Sequence, residues 1–481
     1  MNFKGVLVMN TEQSDKKEKI TIVGAGPVGS LLAVILGRAG YQINLFESRR
    51  DCRKHAIYQG KSTNIALSDR GWLALESVGI AKQIKANAIP MKKRVIHAIN
   101  GSLTEQAYGK EEQAIWSVSR SDINEQLLDL ADTEENVTIN FEQRLIQVNF
   151  DNACSTLAHG QSAYEVHANY LFGADGAFSK VRRLAQETPR FSYNQTYMPQ
   201  CYIELTMPAN ENVEINKRYR MEKEALHIWP RKDFMLIALP NHDGSFTCTL
   251  FLNLESKSNT DVSFNSLKTI DGVKGFFEQN FADAMLLLGN PIDEFIHKSP
   301  KPLFVVSVDP WVVNNKVALI GDAAHAMVPF YGQGLNCSFE DCRELGLLIN
   351  KHQGNWSKIF PDYQTKRKVN AEAITELAKQ NFVEMSELSG DTLFLLQKKI
   401  EAKFQDLYPG LWTPLYTMVT FSPHLPYEKA LSIGKQQNII MKKLMSELKH
   451  VPDIENCWHD SFVYQKMHEL VQAQALGNTD V

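Results

Sequence analysis

The sequence predicts an α/β chain: a parallel α/β domain, interrupted by an antiparallel sheet and followed by a helical C-terminal region. Three observations carry that expectation. "KITIVGAGPVGSLLAVILGRAGYQINLFES", residues 19–48, reads strand, glycine turn, helix, strand. "YIELTM", "ALHIWP", "FMLIALP" and "SFTCTLFLNL", between residues 202 and 254, are strand-like runs separated by turn signals such as Asn241-His242-Asp243-Gly244. Beyond about Trp356 the chain is mostly helical in pattern, broken at Pro409, Pro414, Pro423 and Pro426.

The elements follow in order. Ile20 to Val23 is a short β-branched run suited to a buried parallel strand. Ser30 to Arg38 has helical apolar content that Gly40 ends, and Tyr41 to Phe46 is the second strand. "STNIALSDRGWLALESVGI" reads as a loop and then an amphipathic helix. "RVIHAINGSLTEQAYG" reads as a hairpin about Asn100-Gly101. "SRSDINEQLLDLAD" is a capped helix from Ser119. The domain limits read 18–75, 105–190 and 300–355 for the parallel domain. They read 76–104 and 191–299 for the sheet domain, and 356–481 for the helical region.

Composition narrows the function. With 481 residues, 44% hydrophobic and 22% charged, the chain has the makeup of a soluble globular protein with a large core. A net charge of −4 offers no broad positive field, so no nucleic-acid partner is expected. The seven cysteines form no CxxC and no Cys/His cluster, which points to reduced thiols and no metal. The N-terminal apolar stretch is too short for a signal segment, and no run is long enough for a membrane span. A cytoplasmic, soluble protein with no transmembrane anchor is the expectation.

Three motifs carry chemistry. Gly24-Ala25-Gly26-Pro27-Val28-Gly29 is a G-x-G-x-x-G between strand and helix. Glycine there lets backbone N–H groups and a helix N-terminus approach a pyrophosphate. Glu47, at the end of the second strand, stands where an acid accepts a ribose diol. The ligand is an adenine dinucleotide, and this motif alone does not choose FAD over NAD. "GADGAFSKVRR", residues 173–183, again sets glycines and Asp175 at a strand end, with Arg182-Arg183 one turn later. "GDAAHAMVPFYGQGLN", residues 321–336, places Asp322 after the strand-like Val317–Ile320 and a glycine-rich turn before a helix. A helix N-terminus there stabilises negative charge by ~0.3–1 kcal/mol. Asp322 also suits a helix cap, and His325 reads as packing beside the turn.

These motifs in this order resemble the single-component FAD-dependent aromatic hydroxylases, built on a glutathione-reductase-like FAD-binding domain. The stretches "NIALSDRG", "IPMKKRVIHAINGS", "AYG", "SVSR", "FMLIALPN", "SFTCTLF", "QNFVEM" and "PLYTMVTFS" are similar to the kynurenine-hydroxylating branch of that family, from about Lys19 to Ser422. The resemblance implies bound FAD, NADPH as co-substrate, and transfer of one oxygen of O2 to L-kynurenine through a flavin C4a-hydroperoxide, in tryptophan degradation. It assigns the FAD site to Gly24, Gly26, Val28, Gly29, Glu47, Arg49, Ala66, Arg120, Leu145, Asp175, Asp322, Gly334, Leu335 and Asn336.

For the substrate, the resemblance assigns Arg94 and Tyr108 to a carboxylate, with Asn381 and Tyr416 completing the polar contacts. An arginine fork suits such a group. Phe330 is the first candidate for ring contact, and Leu226 and Phe246 are weaker ones. No residue is assigned as a catalytic acid or base, because the aniline nitrogen already donates electron density to the ring carbon ortho to it. With no second G-x-G-x-x-G, NADPH is expected to dock at the surface, with Arg182 as a candidate contact. Eukaryotic relatives carry a hydrophobic C-terminal membrane segment, whereas this chain ends in polar, broken sequence, which fits a bacterial enzyme. Two other readings stay open: a hydroxylase of the same fold acting on another aromatic acid, and a flavoprotein with a redox-sensing role only.

Overall fold

The computed structural model describes residues 18–54, 64–110, 112–211, 213–214, 217–258, 261–388, 391–449 and 454–477. The apolar-then-polar N-terminal leader lies outside them, as do the last residues of the tail. Among the described residues, four sheets and a helical C-terminal region make up the fold.

The central sheet has the strand order Val312–Val313, Val317–Leu319, Tyr170–Gly173, Lys19–Val23, Gln42–Phe46, Val137–Asn140. All neighbours are parallel except the first pair. Lys19–Val23 is flanked by the next strand in sequence on one side and by Tyr170–Gly173 on the other. The chain therefore reverses its winding there, which opens a crevice at the carboxyl ends of these strands. Helix Pro27–Arg38 is buried almost along its whole length, which explains its uninterrupted apolar run. Proline opens it, where a missing N–H costs nothing.

The interrupting sheet has seven strands in the order Lys301–Asp309, Ser192–Met207, Phe246–Asn253, Phe234–Pro240, Ala225–Arg231, Lys93–His97, Leu103–Ala107. Only Ala225–Arg231 and Lys93–His97 run parallel. One face carries Ile203, Leu205, Trp229, Phe246 and Leu250, packed with Phe276, Phe277 and Phe295 from outer helices. The opposite face looks toward the central sheet. The hairpin about Asn100-Gly101 is present, with Gly101 at φ +82°. So is the Ser119 cap, whose hydroxyl accepts from Asp122 N at 3.2 Å.

Two sequence expectations shift. Asn64–Leu67, read as loop, is a strand paired with Ile115–Ser119, and the amphipathic helix begins at Asp69. The run is only four residues long and its alternation was too brief to register. The seven-stranded sheet also takes in Leu103–Ala107 and Lys301–Asp309, so its edges fall a few residues outside the limits 76–104 and 191–299.

The C-terminal region contains helices Trp356–Val383, Thr392–Leu407, Leu415–Thr420, Tyr427–Leu448 and Ser461–Gly477. A π-helical turn, Glu384–Leu388, closes the first of these. Pro414 and Pro426 sit at helix N-caps, as prolines that cannot continue a helix do. Leu396, Ile400, Phe404, Trp412, Leu444, Tyr464 and Met467 give this region a small core of its own. No helix among the described residues is long and apolar enough to cross a membrane.

Candidate active site

A cavity of about 930 Å³ runs from the Gly24 turn, past Asp322 and Leu335, to Arg94 and Tyr416. It lies at the topological switch of the central sheet and is floored by the free face of the larger one.

Glycine is required at its first end. Gly24 takes φ +101°, and a Cβ there would stand 2.6 Å from Ala174 O. A Cβ on Gly29 would overlap the carbonyl oxygen of Gly24. Gly26 is different: nothing in the protein comes within 4 Å of a Cβ built there, and the residue caps helix Pro27–Arg38 beside the cavity. A helix N-terminus facing open space is an anion cradle, and a pyrophosphate fits it. Glu47 Oε2 accepts from Ala25 N at 3.0 Å, and Oε1 accepts from Arg49 N and Nε at 2.9 Å each. Burial opposes its charge, but the hydrogen bonds and cation of Arg49 outweigh that and lower its pKa. Glu47 is therefore a fixed carboxylate acceptor at the end of its strand. Val28, Arg49, Ala66, Arg120 and Leu145 line the same cavity.

Asp175 and Asp322 have different tasks. Asp175 accepts from Ser179 Oγ at 2.5 Å and from Lys180 N and Val181 N at 2.6 and 3.1 Å, so it anchors the start of helix Lys180–Ala185. Burial raises its pKa against those bonds. Asp322 also lines the cavity, yet it is not the cap of its own helix; that place belongs to Gly321, at φ +64°. Its carboxylate accepts no hydrogen bond from the described residues, which leaves it available to a ligand. At the next helix, Gly334–Lys351, the first backbone N–H groups have no intrahelical partner. Gly334 and Leu335 line the cavity there. Asn336 contributes differently from its expected place: its side chain is spent inside the protein. Nδ2 donates to Ala66 O at 2.9 Å and Gly332 O at 2.7 Å, and Oδ1 accepts from Ser68 N at 2.9 Å. It bolts the Asn64–Leu67 strand to the turn, leaving only its backbone for a cofactor.

The far end sets one buried cation among tyrosine rings. Arg94 is 5% exposed, and its Nε has no hydrogen-bond partner. Its Nη1 stands 3.7 Å from Glu384 Oε1. Its guanidinium lies 5.2 Å from the Tyr108 ring and 4.8 Å from the Tyr416 ring. Tyr108 and Tyr416 stack at 5.0 Å, and Tyr331 continues the stack at 5.5 Å. The buried Tyr108 hydroxyl also lacks a partner, and burial holds its pKa far above the usual phenol value, so it remains a donor. Two buried donors without acceptors, side by side, each cost roughly 1–3 kcal/mol until something accepts from them. Asn381 Nδ2 donates to Phe330 O at 2.7 Å, fixing the aromatic turn. Phe330 packs on Phe251 at 5.1 Å and Phe382 at 4.4 Å.

A search with protein-family models matches residues 17–378 to an FAD binding domain. A kynurenine 3-monooxygenase of Flavobacterium johnsoniae is 42% identical over 456 residues, covering 94% of this chain and 99% of that protein. The chain belongs to the kynurenine 3-monooxygenase family. A family member from Sus scrofa is 36% identical, with 88% of each chain covered. Among solved structures, 2-methyl-3-hydroxypyridine-5-carboxylic acid oxygenase matches with TM-score 0.62 at 19% identity, covering 80% of this chain and 96% of that one. PqsL of P. aeruginosa, in complex with 2-aminobenzoylacetate, matches with TM-score 0.61 at 18% identity, covering 77% and 97%. At these identities the two structures show a shared fold. FAD is the cofactor of this family, and NADPH its co-substrate.

Other expected residues land elsewhere. Leu226 lines the cavity as register partner of Arg94. Phe246 does not: it lies five residues from Phe251 on one strand, hence on the opposite face, buried against Tyr219 and His227. Arg182 is not a surface contact for NADPH. It is buried, and its guanidinium donates to Ala323 O at 2.9 Å and Ala177 O at 2.6 Å. His325 does pack, as expected, with Nε2 2.6 Å from Asp341 Oδ2 and Trp311 stacked at 5.1 Å. His325, Cys337 and Asp341 come together like a metal site, but Arg367 Nε donates to Asp341 Oδ1 at 2.6 Å and balances that acid. Sequence reasoning gave Glu384, Met385 and Phe251 no role of their own, although they lie in the quoted stretches "QNFVEM" and "SFTCTLF"; Tyr331 belongs to the aromatic turn with Phe330, and Phe251 alternates with Thr249 on the cavity face.

Proposed function

We propose that this chain hydroxylates L-kynurenine to 3-hydroxy-L-kynurenine, with the substrate carboxylate held by Arg94 and Tyr108. The observation that carries the reading is that pair of buried, acceptor-free donors at the far end of a cavity whose near end cradles a dinucleotide. The overall reaction consumes L-kynurenine, NADPH, O2 and one proton, and yields 3-hydroxy-L-kynurenine, NADP+ and water. Bound FAD supplies the two-electron chemistry that activates O2.

The chain's own residues hold, orient and exclude. Gly24, Gly26 and Glu47 would hold the dinucleotide half, and Asp322 with the N–H groups at Gly334 and Leu335 the flavin half. Arg94 offers a planar fork to the amino-acid carboxylate and Tyr108 a further donor. Tyr416 covers the guanidinium, and Asn381 sets the Phe330 turn through its carbonyl. Phe330, Phe251, Leu226 and Met385 give the aniline ring an apolar wall that keeps water from the reacting oxygen. No side chain need take a proton from the substrate, because the amine already activates its ortho carbon.

The test is NADPH consumption by FAD-loaded protein with and without L-kynurenine, with products analysed. Kynurenine-stimulated consumption with 3-hydroxykynurenine formed is expected. Stimulation giving only peroxide would point to a hydroxylase of another aromatic acid. No stimulation at all would point to a non-catalytic flavoprotein.

A further inference from the structure

A cluster of ligating side chains stands away from the cavity, on a three-stranded sheet. Strands Cys154–His159 and Ser162–Val166 form a hairpin closed by the two-residue turn Gly160-Gln161, with Gly160 at φ +58°. That short turn fixes the register: Ser155 pairs with Val166, and Thr156 with Glu165. His167, the next residue, then stands across from Cys154. Side chains alternate along a strand, so Cys154, Glu165 and His167 share one face, while Val148 and Val166 turn to the core on the other. Their donor atoms, a thiol sulfur, a carboxylate oxygen and an imidazole nitrogen, all lie within 4.8 Å of one another. His167 Nε2 is 3.7 Å from Glu165 Oε2.

Packing does not account for the cysteine. Cys154 is 9% exposed, yet it belongs to none of the apolar cores of the described residues. The side chains of Glu165 and His167 are 65% and 75% exposed, so both can turn without disturbing the fold. Tetrahedral zinc, with bonds of about 2.0–2.3 Å, sets its ligands roughly 3.3–3.6 Å apart, and a shift of about 1 Å in the two exposed side chains completes that set. One thiolate and one carboxylate balance the two charges of the ion. A thiolate beside an imidazole selects such a metal over calcium or magnesium. In sequence the stretch reads "CSTLAHGQSAYEVH", with the ligands at its two ends, and only the hairpin brings them together.

We infer that Cys154, Glu165 and His167 form a binding site for a zinc-class divalent cation, with water in the fourth position. The ion clips the edge strand Ser162–Val166 to its neighbour at the open end of the hairpin. It thereby braces the sheet whose third strand, Arg144–Asn149, carries Arg144 and Leu145 to the cavity. The site takes no part in oxygen transfer and stands independently of the proposed function.

The FAD-loaded protein, freed of metal with a chelator, is titrated with Zn2+ by calorimetry and with Co2+ by absorbance at wavelengths beyond the flavin bands. Wild type is expected to bind one equivalent of Zn2+, and Co2+ to give the intense visible bands of a tetrahedral site. Cys154→Ser and His167→Gln should each weaken Zn2+ binding by at least the roughly 10- to 100-fold that losing a ligand's supporting partner costs. Zn2+ should raise the thermal midpoint of wild type and of neither variant. Flavin content and metal-free turnover stay at wild-type values in both, since neither residue lines the cavity. Cys52→Ser, at a half-buried cysteine elsewhere, is the control and should bind as wild type does. Zn2+ affinity within twofold of wild type in either ligand variant overturns the inference, and so does the pale spectrum of octahedral cobalt. A wild-type protein that takes up no Zn2+ overturns it outright, and loss of binding in Cys52→Ser overturns it by assigning the ion elsewhere.

Discussion

Arg94→Ala removes a guanidinium that is 5% exposed and flanked by two tyrosine rings. Its Nε has no acceptor in the protein, and its nearest acid, Glu384, is 3.7 Å away, too far for a strong bond. Its Nε is thus open to a ligand, and the proposed function gives it the substrate carboxylate. Losing one partner of a buried charge-assisted pair costs about 2–5 kcal/mol, or roughly 30- to 5,000-fold in kynurenine affinity. The fold should tolerate the change, because Lys398 stands 3.8 Å from Glu384 and keeps that acid compensated. Tyr108→Phe supplies an internal check of opposite sign. It deletes a donor that is unsatisfied without ligand, so the thermal midpoint should hold or rise. It also removes a bond to a charged group, worth about 1.5–3 kcal/mol, so kynurenine affinity should fall roughly 10- to 150-fold. The assay is kynurenine KM and Kd, with flavin absorbance reporting FAD content and a thermal melt reporting fold. Unchanged KM in Arg94→Ala would refute the carboxylate assignment, and loss of FAD would refute the separation of the two ends of the cavity.

Three further outcomes follow from the same geometry. Gly26→Ala should fold with a normal melt yet lose FAD, whereas Gly29→Ala should damage folding itself, since only the latter Cβ meets protein; equal effects of the two on the melt would contradict the cradle. His227, whose burial lowers its pKa to about 4, binds fewer protons folded than unfolded. Stability should therefore fall as pH drops from about 6.5 to about 4, by on the order of 3 kcal/mol, and His227→Gln should flatten that part of the profile; an unaltered profile would remove His227 from the account. Deletion after residue 440 strips Met441, Leu444, Leu448, Tyr464 and Met467 from the C-terminal core. At roughly 1.5–3 kcal/mol for each large apolar side chain, the remaining helices should not hold Tyr416 in place; wild-type melting and turnover in the truncated chain would show that this core does not support the site.

What the sequence disclosed depended on how local the signal was. The Gly24–Gly29 turn was legible because its demands are backbone demands: a positive φ, a close carbonyl, a helix start within six residues. Asp322 was legible as a ligand-facing acid but not as a non-cap, since cap identity turns on the φ of Gly321. Without the family resemblance, Arg94 would pass for a solvated strand residue. Its burial comes from Ala225–Arg231 lying beside it in parallel register, more than a hundred residues later. Phe246 and Phe251 look equivalent in sequence and face opposite sides of one strand. Arg182 looked like a surface cation, and only packing shows two carbonyls consuming its guanidinium. Glu384 lies in the quoted "QNFVEM", but nothing there gives its direction, which a π-helical turn after a 28-residue helix sets.

The two ends of the cavity are also tied together by charges that no motif announced. Arg70 donates to Val419 O at 2.8 Å and Leu425 O at 2.5 Å, and its Nη1 reaches Glu340 Oε1 at 2.8 Å. The other oxygen of Glu340 takes Arg367 Nη1 at 2.7 Å, and Arg367 passes to Asp341. Asp341 accepts from Gly321 N at 3.3 Å, next to Asp322. One buried chain of alternating charge thus runs from the helix that carries Tyr416 to the turn that carries Asp322. Desolvation cancels much of the Coulombic gain in such a chain, so it adds little net stability, while losing any one member costs about 3–5 kcal/mol. The chain joins helix Leu415–Thr420, helix Gly334–Lys351 and the turn at Gly321, so both ends of the cavity rest on one connected set of charges. In the proposed function Arg94 and Tyr416 hold the substrate and the Asp322 turn holds the flavin, and oxygen transfer to a single ring carbon depends on the distance between them.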